Sequence, residues 1–378
     1  MKITAYIPCH NGEAFLPEVL PALRTQSRPA DQYLLVNDRS TDRTVELARQ
    51  FGFEVFHTGP EHVGLAAGRN VALQHAQGDL LVGIDADAVA EPDFLEQVEQ
   101  QFLKHPELVG LCGCLREKYA TASIADMWRS IHMRQHFGPA EVNNPPILFG
   151  SSSCHRTAAL RQVGGWNHQF KTNYEDVDLT QRLQAAGGRT LYSPACRLWH
   201  LRRDSVESVL KGWWSWNFPP GELAGAFQSI SSWVRLRLPW IWSDYRRRRL
   251  HDQTQPQLAV ITCLLPWSTI QRDLHEVFGR MGVAFDLKMV GVIARDVFVQ
   301  SGTTVEHATW LGRWLQDMAV TLPAHPGIPT GTANAAWDKS LIEGIRLLAV
   351  SSVPDASYWS RIESSFRRAD EGKGSPAS

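Results

Sequence analysis

The chain carries almost no net charge, because 38 lysines and arginines balance 39 aspartates and glutamates in 378 residues. Such a balance creates no global field that would attract nucleic acid or an anionic membrane, so any such binding needs a local patch. No apolar run reaches the ~18 residues that cross a bilayer as a helix. We therefore expect no nucleic-acid partner and no transmembrane segment.

Cysteine is scarce and lacks the paired spacing of a zinc module or a disulfide framework. The six cysteines are Cys9, Cys112, Cys114, Cys154, Cys196 and Cys263. We interpret them as reduced core thiols. The N-terminal stretch enters a strand at once, without the apolar region and cleavage site of a signal peptide. These features predict a cytoplasmic protein, with peripheral contact to the inner face of the membrane as an additional option.

Two nucleotide-binding fingerprints are also missing. The sequence contains neither Gly-x-Gly-x-x-Gly nor a Walker A loop, which argues against a dinucleotide-dependent dehydrogenase and a P-loop NTPase. The loop from Pro8 to Gly12 is not the Gly-rich phosphate loop that a nucleotidyltransferase would need after its first strand. The composition is otherwise that of an ordinary globular protein, 43% hydrophobic and 20% charged.

Two carboxylates follow a short apolar run at residues 80–84, which is typical of a buried strand in a parallel sheet. If the chain stays extended, Asp85 and Asp87 point the same way and can bind one divalent cation beyond the strand. Mg²⁺ and Mn²⁺ usually keep positions open for substrate phosphates, so a nucleotide diphosphate fits. A solvated loop that contains Asp-x-Asp by chance is the alternative.

Strands and helices alternate through the first half of the chain. Strand patterns occur at residues 3–7, 33–36, 53–56 and 80–84, and helical spacing follows the first two of them. This order predicts a mostly parallel sheet with helices on both faces. Open sheets of this kind bind ligands at the carboxyl ends of their strands.

Three further segments carry side chains suited to a polar ligand. Arg69 follows small residues at a helix start and can offer a fork of donors to a phosphate or base, or it is an ordinary surface arginine. Glu175 and Asp176 crowd a helix start, where acids favour the helix dipole or one of them serves as general base. His200 lies at the end of an apolar strand, and it is either a buried core residue or a metal ligand.

Four segments together resemble the signatures of family 2 glycosyltransferases with the GT-A fold. They are Ile7-Pro8-Cys9-His10-Asn11, Val36 to Asp42, Gly68-Arg69-Asn70 and Asp85-Ala86-Asp87. The resemblance covers residues 1–205. It implies inverting transfer of a sugar from a nucleotide diphosphate sugar, most simply a UDP-sugar, with Mn²⁺ or Mg²⁺ as cofactor. The implied acceptor is a hydroxyl of a glycan, a lipid-linked glycan or a protein.

The resemblance also implies roles on the donor side. The first loop and the acid after the second strand would bind the nucleobase, which gives Pro8, Asn11 and Asp38 this role. Arg69 would contact the donor. The family often has two acids where this chain has Asn37-Asp38, so the identity of the base stays open.

The remaining roles concern the metal, the diphosphate and the acceptor. Asp85 would hold the ribose and share the metal with Asp87 and His200. The diphosphate clamps would be Arg202 and Arg203. The implied general base is Asp176, with Glu175 as the neighbour that orients it or contacts the acceptor, whereas Asp178 salt-bridges or caps. The Gln-x-x-Arg-Trp motif of processive members is absent, so we expect a non-processive enzyme.

Beyond residue 205 the composition shifts. Seven of the 14 tryptophans lie between Trp199 and Trp242, and four arginines occupy positions 246–249. We predict an amphipathic basic segment and linker at 206–255, in which residues 213–249 bind a membrane surface, bind a partner or polymer, or pack on the catalytic domain. A helical accessory domain at 256–369 and a disordered tail at 370–378 complete the prediction.

Two other functions stay open. The same fold could support nucleotidyl transfer, or it could be a non-catalytic carbohydrate-binding or scaffold protein derived from a transferase. Loss of Asp87, Asp176 or His200 would mark such a decayed site, and all three residues are present.

Overall fold

A computed structural model describes residues 1–61, 64–170, 173–218, 232–233, 236–255, 258–274 and 276. Its strands are β1 (Ile3–Cys9), β2 (Gln32–Asn37), β3 (Glu54–His57), β4 (Leu80–Gly83), β5 (Ala88–Ala90), β6 (Leu108–Glu117), β7 (Val142–Asn143), β8 (Ser153–Arg156) and β9 (Arg189–His200). Its α-helices are α1 (Leu16–Arg24), α2 (Thr44–Gln50), α3 (Leu65–His75), α4 (Phe94–Lys104), α5 (Ile124–His132), α6 (Thr157–Gln162), α7 (Glu175–Ala185), α8 (Val206–Asn217), α9 (Leu238–His251) and α10 (Ala259–Leu274).

One sheet with the strand order β3-β2-β1-β4-β8-β6-β9-β5 organises the first part of the chain, and β7 pairs with β9 outside this order. The pairs from β3 to β4 are parallel, as expected from the alternation of strands and helices. β8 then runs antiparallel between β4 and β6, and β6 is parallel to β9. The α/β sheet with flanking helices predicted for residues 1–205 is confirmed.

The first strand shows why helices cover both faces of the sheet. All seven residues of β1 are buried. Ile3, Ala5 and Ile7 share one apolar cluster with the inward face of α1, whereas Tyr6 belongs to a second cluster with residues of α3 and α7. Because neighbouring strand residues point to opposite faces, burial at every position means that both faces of the sheet are covered at this strand.

The cysteines lie within this packing. Cys9, Cys112, Cys114, Cys154 and Cys196 are buried free thiols, as the sequence predicts. The side chain of Cys263 lies outside the described part of the structure.

The chain divides into two compact units. The first comprises Met1–Ala120 and Met133–Arg203, and the second comprises Thr121–His132 together with the chain from Asp204. Helix α5 thus lies between the two segments of the first unit along the chain but belongs to the second unit. Of the predicted regions, residues 219–231 and everything from 277 onward lie outside the described residues, including most of 256–369 and all of 370–378.

Buried charges organise the second unit. Asp273 is fully buried and accepts hydrogen bonds from Trp214, Trp233 and Arg237 at 2.7–3.1 Å. Arg248 is also buried, and its guanidinium lies 3.7 Å from the centre of the Trp213 ring. Part of the basic aromatic segment thus forms the interior of its own unit. Among the helices that the structure describes, none combines the length and hydrophobicity needed to cross a bilayer.

Candidate active site

Polar loops at the carboxyl ends of β1 and β2 are joined by hydrogen bonds. The Asp38 backbone N–H donates to the Cys9 carbonyl at 2.8 Å. Asn11, with a left-handed φ of 52°, accepts from the Thr41 backbone N–H at 2.8 Å. Pro8 is buried in β1 beside Gly68 of α3. The structure therefore brings together Pro8, Asn11 and Asp38, which were predicted to bind the nucleobase.

Asp38 fixes the loop that precedes α3. One carboxylate oxygen accepts from the Thr58 hydroxyl at 2.7 Å, and the other accepts from the Gly64 backbone N–H at 2.9 Å. Gly64 has a φ of 91°, which favours glycine. Asp38 thus connects the end of β2 to the start of the helix that carries Arg69.

Arg69 is a buried cation surrounded by acids. Its side chain is 2% exposed, and its guanidinium contacts Glu175 at 2.5 Å and Asp85 at 3.6 Å. A Cβ at Gly150 would lie 2.3 Å from this guanidinium, so the absence of a side chain there makes room for it. Burial of this degree favours a positioning role for Arg69, which holds the start of α7 near the end of β4, over the direct donor contact that was predicted.

Asp85 and Asp87 do not act as the extended pair that the sequence pattern suggests. β4 ends at Gly83, and the Ala88 N–H donates to the Asp85 carbonyl at 3.0 Å, which closes a turn. Asp85 lies beside Arg69, whereas Asp87 lies beside His200. Within the described residues, these two acids and His200 do not form a close cluster of three metal-binding groups, and a share of Asp85 in the metal stays a prediction. Burial raises the pKa of Asp85 to about 6.

Sheet pairing brings His200 to Asp87. β5 and β9 are antiparallel with Ala88 opposite His200, and the Leu201 N–H donates to the Asp87 carbonyl at 2.8 Å. His200 Nε2 then lies 3.2 Å from Asp87 Oδ2, and Nδ1 lies 2.8 Å from Glu117 Oε2. Burial lowers the pKa of His200, but the hydrogen bonds with Asp87 and Glu117 outweigh it and raise that pKa to about 9.

Asp87 and His200 fit a divalent cation such as Mn²⁺ or Mg²⁺. Two ligand atoms bonded to an octahedral ion at ~2.1 Å lie about 3.0 Å apart, close to the observed 3.2 Å. Glu117 fixes the ring from the other side, as acids behind metal-binding histidines commonly do. The ion would occupy the place of the proton that Asp87 and His200 share here.

Glu117 was not identified from the sequence. It ends β6, opposite His200 in the parallel pairing of β6 with β9. In the sequence, Glu117 is only an acid at the end of an apolar strand. Its place beside His200 can be inferred only when β6 and β9 are known to be neighbours.

Asp176 has the surroundings of a general base. Its oxygens accept from the Gly150 N–H at 3.2 Å and the Val177 N–H at 2.9 Å. Burial and repulsion from Glu175 raise its pKa to about 6, although Arg69 opposes this effect. A carboxylate with such a pKa is ionised at neutral pH and is a stronger base than an exposed one. Asp178 pairs with Arg182 at 2.6 Å, as predicted.

The short turn at Gly150–Ser152 connects the two sides of the site. Its Gly150 N–H binds Asp176, and its Ser151 carbonyl accepts from the Asp85 N–H at 3.3 Å. The acid at the end of β4 and the base on α7 are therefore held by neighbouring residues. Arg202 and Arg203 follow His200, and the exposed Arg203 lies 5.4 Å from the centre of the Tyr119 ring.

The chain resembles known glycosyltransferases in part of its length. Glycosyltransferase GlyA of Streptococcus pneumoniae is 29% identical over 107 residues, which are 28% of this chain and 15% of that protein. Poly-beta-1,6-N-acetyl-D-glucosamine synthase of Staphylococcus aureus is 25% identical over 223 residues, which are 56% of this chain and 52% of that protein. The chain thus spans at most about half the length of these relatives.

Solved structures give weaker likenesses. S. aureus TarS 1-349 in complex with UDP-GlcNAc is 16% identical, with a TM-score of 0.45 over 97% of this chain and 92% of that one. The mannosyltransferase PcManGT from Pyrobaculum calidifontis, in complex with GDP-Man and Mn²⁺, is 15% identical, with a TM-score of 0.47 over 92% and 86%. Residues 4–163 match the family described as Glycosyl transferase family 2. This region contains β1 to β4 and the Asp85-Ala86-Asp87 turn, so this part of the chain is similar to glycosyltransferases of family 2.

Proposed function

We propose that the protein is a metal-dependent inverting glycosyltransferase that moves one sugar from a nucleotide diphosphate sugar to an acceptor hydroxyl. The observation that carries this proposal is the convergence at one sheet edge of two kinds of group. Asp87 and His200 form a pair suited to a divalent cation. Asp176 is a carboxylate with a raised pKa, held by the turn that also contacts Asp85.

The donor lies across the ends of β1, β2 and β4 in this proposal. Pro8, Asn11 and Asp38 surround the nucleobase, and Asp85 contacts the ribose. Arg202 and Arg203 approach the diphosphate from the end of β9. We infer a UDP-sugar from the family resemblance. A glycan, a lipid-linked glycan and a protein remain the acceptor classes.

Bound Mn²⁺ or Mg²⁺ supplies Lewis-acid stabilisation of the leaving diphosphate. Asp176 accepts the proton of the acceptor hydroxyl as its oxygen attacks the anomeric carbon from the side opposite the diphosphate. The buried Arg69 holds Glu175, which fixes the first turn of α7 and so aims Asp176. A single displacement of this kind inverts the configuration of the sugar.

The test begins with donor hydrolysis by the purified full chain, using a panel of UDP-, GDP- and dTDP-sugars with Mn²⁺. We expect one nucleotide class to be hydrolysed, and we expect EDTA to stop the reaction until Mn²⁺ or Mg²⁺ is restored. Asp87→Asn should abolish hydrolysis, whereas Asp93→Asn should not, because Asp93 is a partly exposed acid that pairs with Arg197. Full turnover in EDTA would refute metal dependence. NMR of a transfer product that retains the donor configuration would refute the single displacement.

A further inference from the structure

Three side chains of the metal-binding kind meet in the second unit, at residues that the proposed transfer reaction does not use. His132 is the last residue of α5, His251 is the last residue of α9, and Asp252 begins the short 3-10 turn that follows. One ligand atom from each lies within 4.8 Å of the other two. Among the described residues, no other set of three histidine, cysteine or acidic side chains has its ligand atoms this close together.

The carboxylate of this cluster has an unsatisfied oxygen. Asp252 is 1% exposed, and its Oδ1 lies 2.9 Å from His132 Nε2. Its Oδ2 is buried and has no hydrogen-bond partner. Buried polar atoms are nearly always paired, because the loss of water is otherwise uncompensated. A cation beside this oxygen would provide the missing partner.

The surroundings favour a positive ion. α5 and α9 both end at the cluster, and the C-terminal end of a helix carries partial negative charge. The neighbouring cation is Arg248, which donates to the His132 carbonyl at 3.3 Å. Its guanidinium is bound by Asp244 at 3.0 Å, so its charge is balanced by a buried partner.

We propose that His132, His251 and Asp252 bind a zinc-class divalent ion that ties the end of α5 to the end of α9. Two imidazoles and one carboxylate are ligands that Zn²⁺ accepts, whereas Mg²⁺ and Ca²⁺ prefer oxygen ligands alone. Ligand atoms in a tetrahedral zinc shell lie roughly 3.4 Å apart. The exposed His251 ring, 5.3 Å from the His132 ring, turns inward to reach this spacing. A water molecule completes the shell, and the proton between His132 and Asp252 is released to solvent.

The test measures zinc binding apart from sugar transfer. The full chain carrying Asp87→Ala, which disables the proposed donor metal site, is stripped with EDTA and titrated with Zn²⁺ against a chromophoric chelator. His251→Ala is added to this protein, since His251 is exposed and its loss should leave the fold intact. His57→Ala, an exposed histidine of the first unit, is the matched control. We expect the zinc affinity to fall at least tenfold with His251→Ala and to stay unchanged with His57→Ala.

A second measurement follows stability and coordination. Zn²⁺ should raise the Tm of the protein with His251 intact and leave the Tm of His251→Ala unchanged. Co²⁺ in place of Zn²⁺ should give visible d–d absorption that His251→Ala and Asp252→Asn both remove. Equal zinc affinities in the His251→Ala and His57→Ala proteins would overturn the proposal, as would a Tm rise that survives His251→Ala. His132 and Asp252 would then be a hydrogen-bonded pair only.

Discussion

Replacing Asp176 by asparagine should weaken catalysis and strengthen the fold at the same time. The side chain keeps its shape but can no longer accept a proton. General bases typically contribute about 10² to 10⁴-fold, so we expect kcat for transfer to fall by that factor with the donor KM nearly unchanged. The metal pair and the donor-binding loops are untouched by this change.

The gain in stability follows from the raised pKa. An exposed aspartate has a pKa near 3.9, and burial with repulsion from Glu175 raises that of Asp176 to about 6. Each pH unit corresponds to about 1.4 kcal/mol, so the ionised side chain costs the fold up to about 3 kcal/mol. Asp176 is only half-buried, and we therefore expect Asp176→Asn to add about 1 to 3 kcal/mol to the free energy of unfolding at pH 7.5.

The pH dependence fixes the sign of this effect. A raised pKa in the folded protein means that the protonated acid stabilises the fold below pH 4, and that this stability is lost as pH rises through 6. The difference between the wild type and Asp176→Asn should accordingly vanish at pH 4. For the same reason, wild-type kcat should fall as pH drops through about 6, because the base becomes protonated.

Urea denaturation followed by circular dichroism at both pH values, together with kcat for transfer, checks the reasoning. Asp178→Asn is the matched control on the same helix, since it breaks a partly exposed pair with Arg182 that contributes at most about 1 kcal/mol. An Asp176→Asn protein that is inactive but less stable than the wild type at pH 7.5 would refute the assignment of a half-buried base whose charge destabilises the fold. Near wild-type kcat in Asp176→Asn with loss in Glu175→Gln would move the base to Glu175.

Three other substitutions test the site. Glu117→Gln should weaken Mn²⁺ affinity about 10- to 100-fold, because Glu117 orients the His200 ring. A titration of donor hydrolysis with Mn²⁺ measures this affinity, and a value equal to that of the wild type would contradict the prediction. Gly150→Ala should cost about 1 to 3 kcal/mol of unfolding free energy, since the new methyl group meets the Arg69 guanidinium, and urea denaturation measures it. Asp38→Ala should raise the donor KM with little change in kcat, because it removes the hydrogen bond that the Gly64 N–H donates to Asp38. An unchanged donor KM would exclude Asp38 from the donor site.

Local patterns predicted much of the first unit. The strands predicted from apolar runs lie close to the observed strands. The helix that begins at Thr157 ends before Gly164 and Gly165, as expected. Both glycines have a φ near +75° (79° and 71°), which glycine adopts more readily than other residues. Such features depend on the spacing and type of nearby residues, so the sequence carries them directly.

The parts that depend on long-range pairing could not be predicted in this way. Asp85 and Asp87 were expected to share one ion because an extended chain was assumed, but the turn at Asp85–Ala88 separates their partners. Glu117 enters the site through the pairing of β6 with β9, and the buried Arg69 finds its acidic partner Glu175 on α7. The Arg69–Glu175 and Glu117–His200 contacts each join residues more than 80 positions apart.

The inclusion of α5 in the second unit constrains how the protein can be dissected. Trp128 of α5 is fully buried and donates to Thr262 of α10, and Arg129 pairs with the buried Asp204 at 3.2 Å. A chain truncated after Arg203 would keep α5 while losing Thr262 and Asp204, and would expose the Trp128 indole together with the Arg129 side chain. Such a fragment should aggregate even though its sheet is complete. A soluble catalytic fragment requires Thr121–His132 to be replaced by a short polar linker as well.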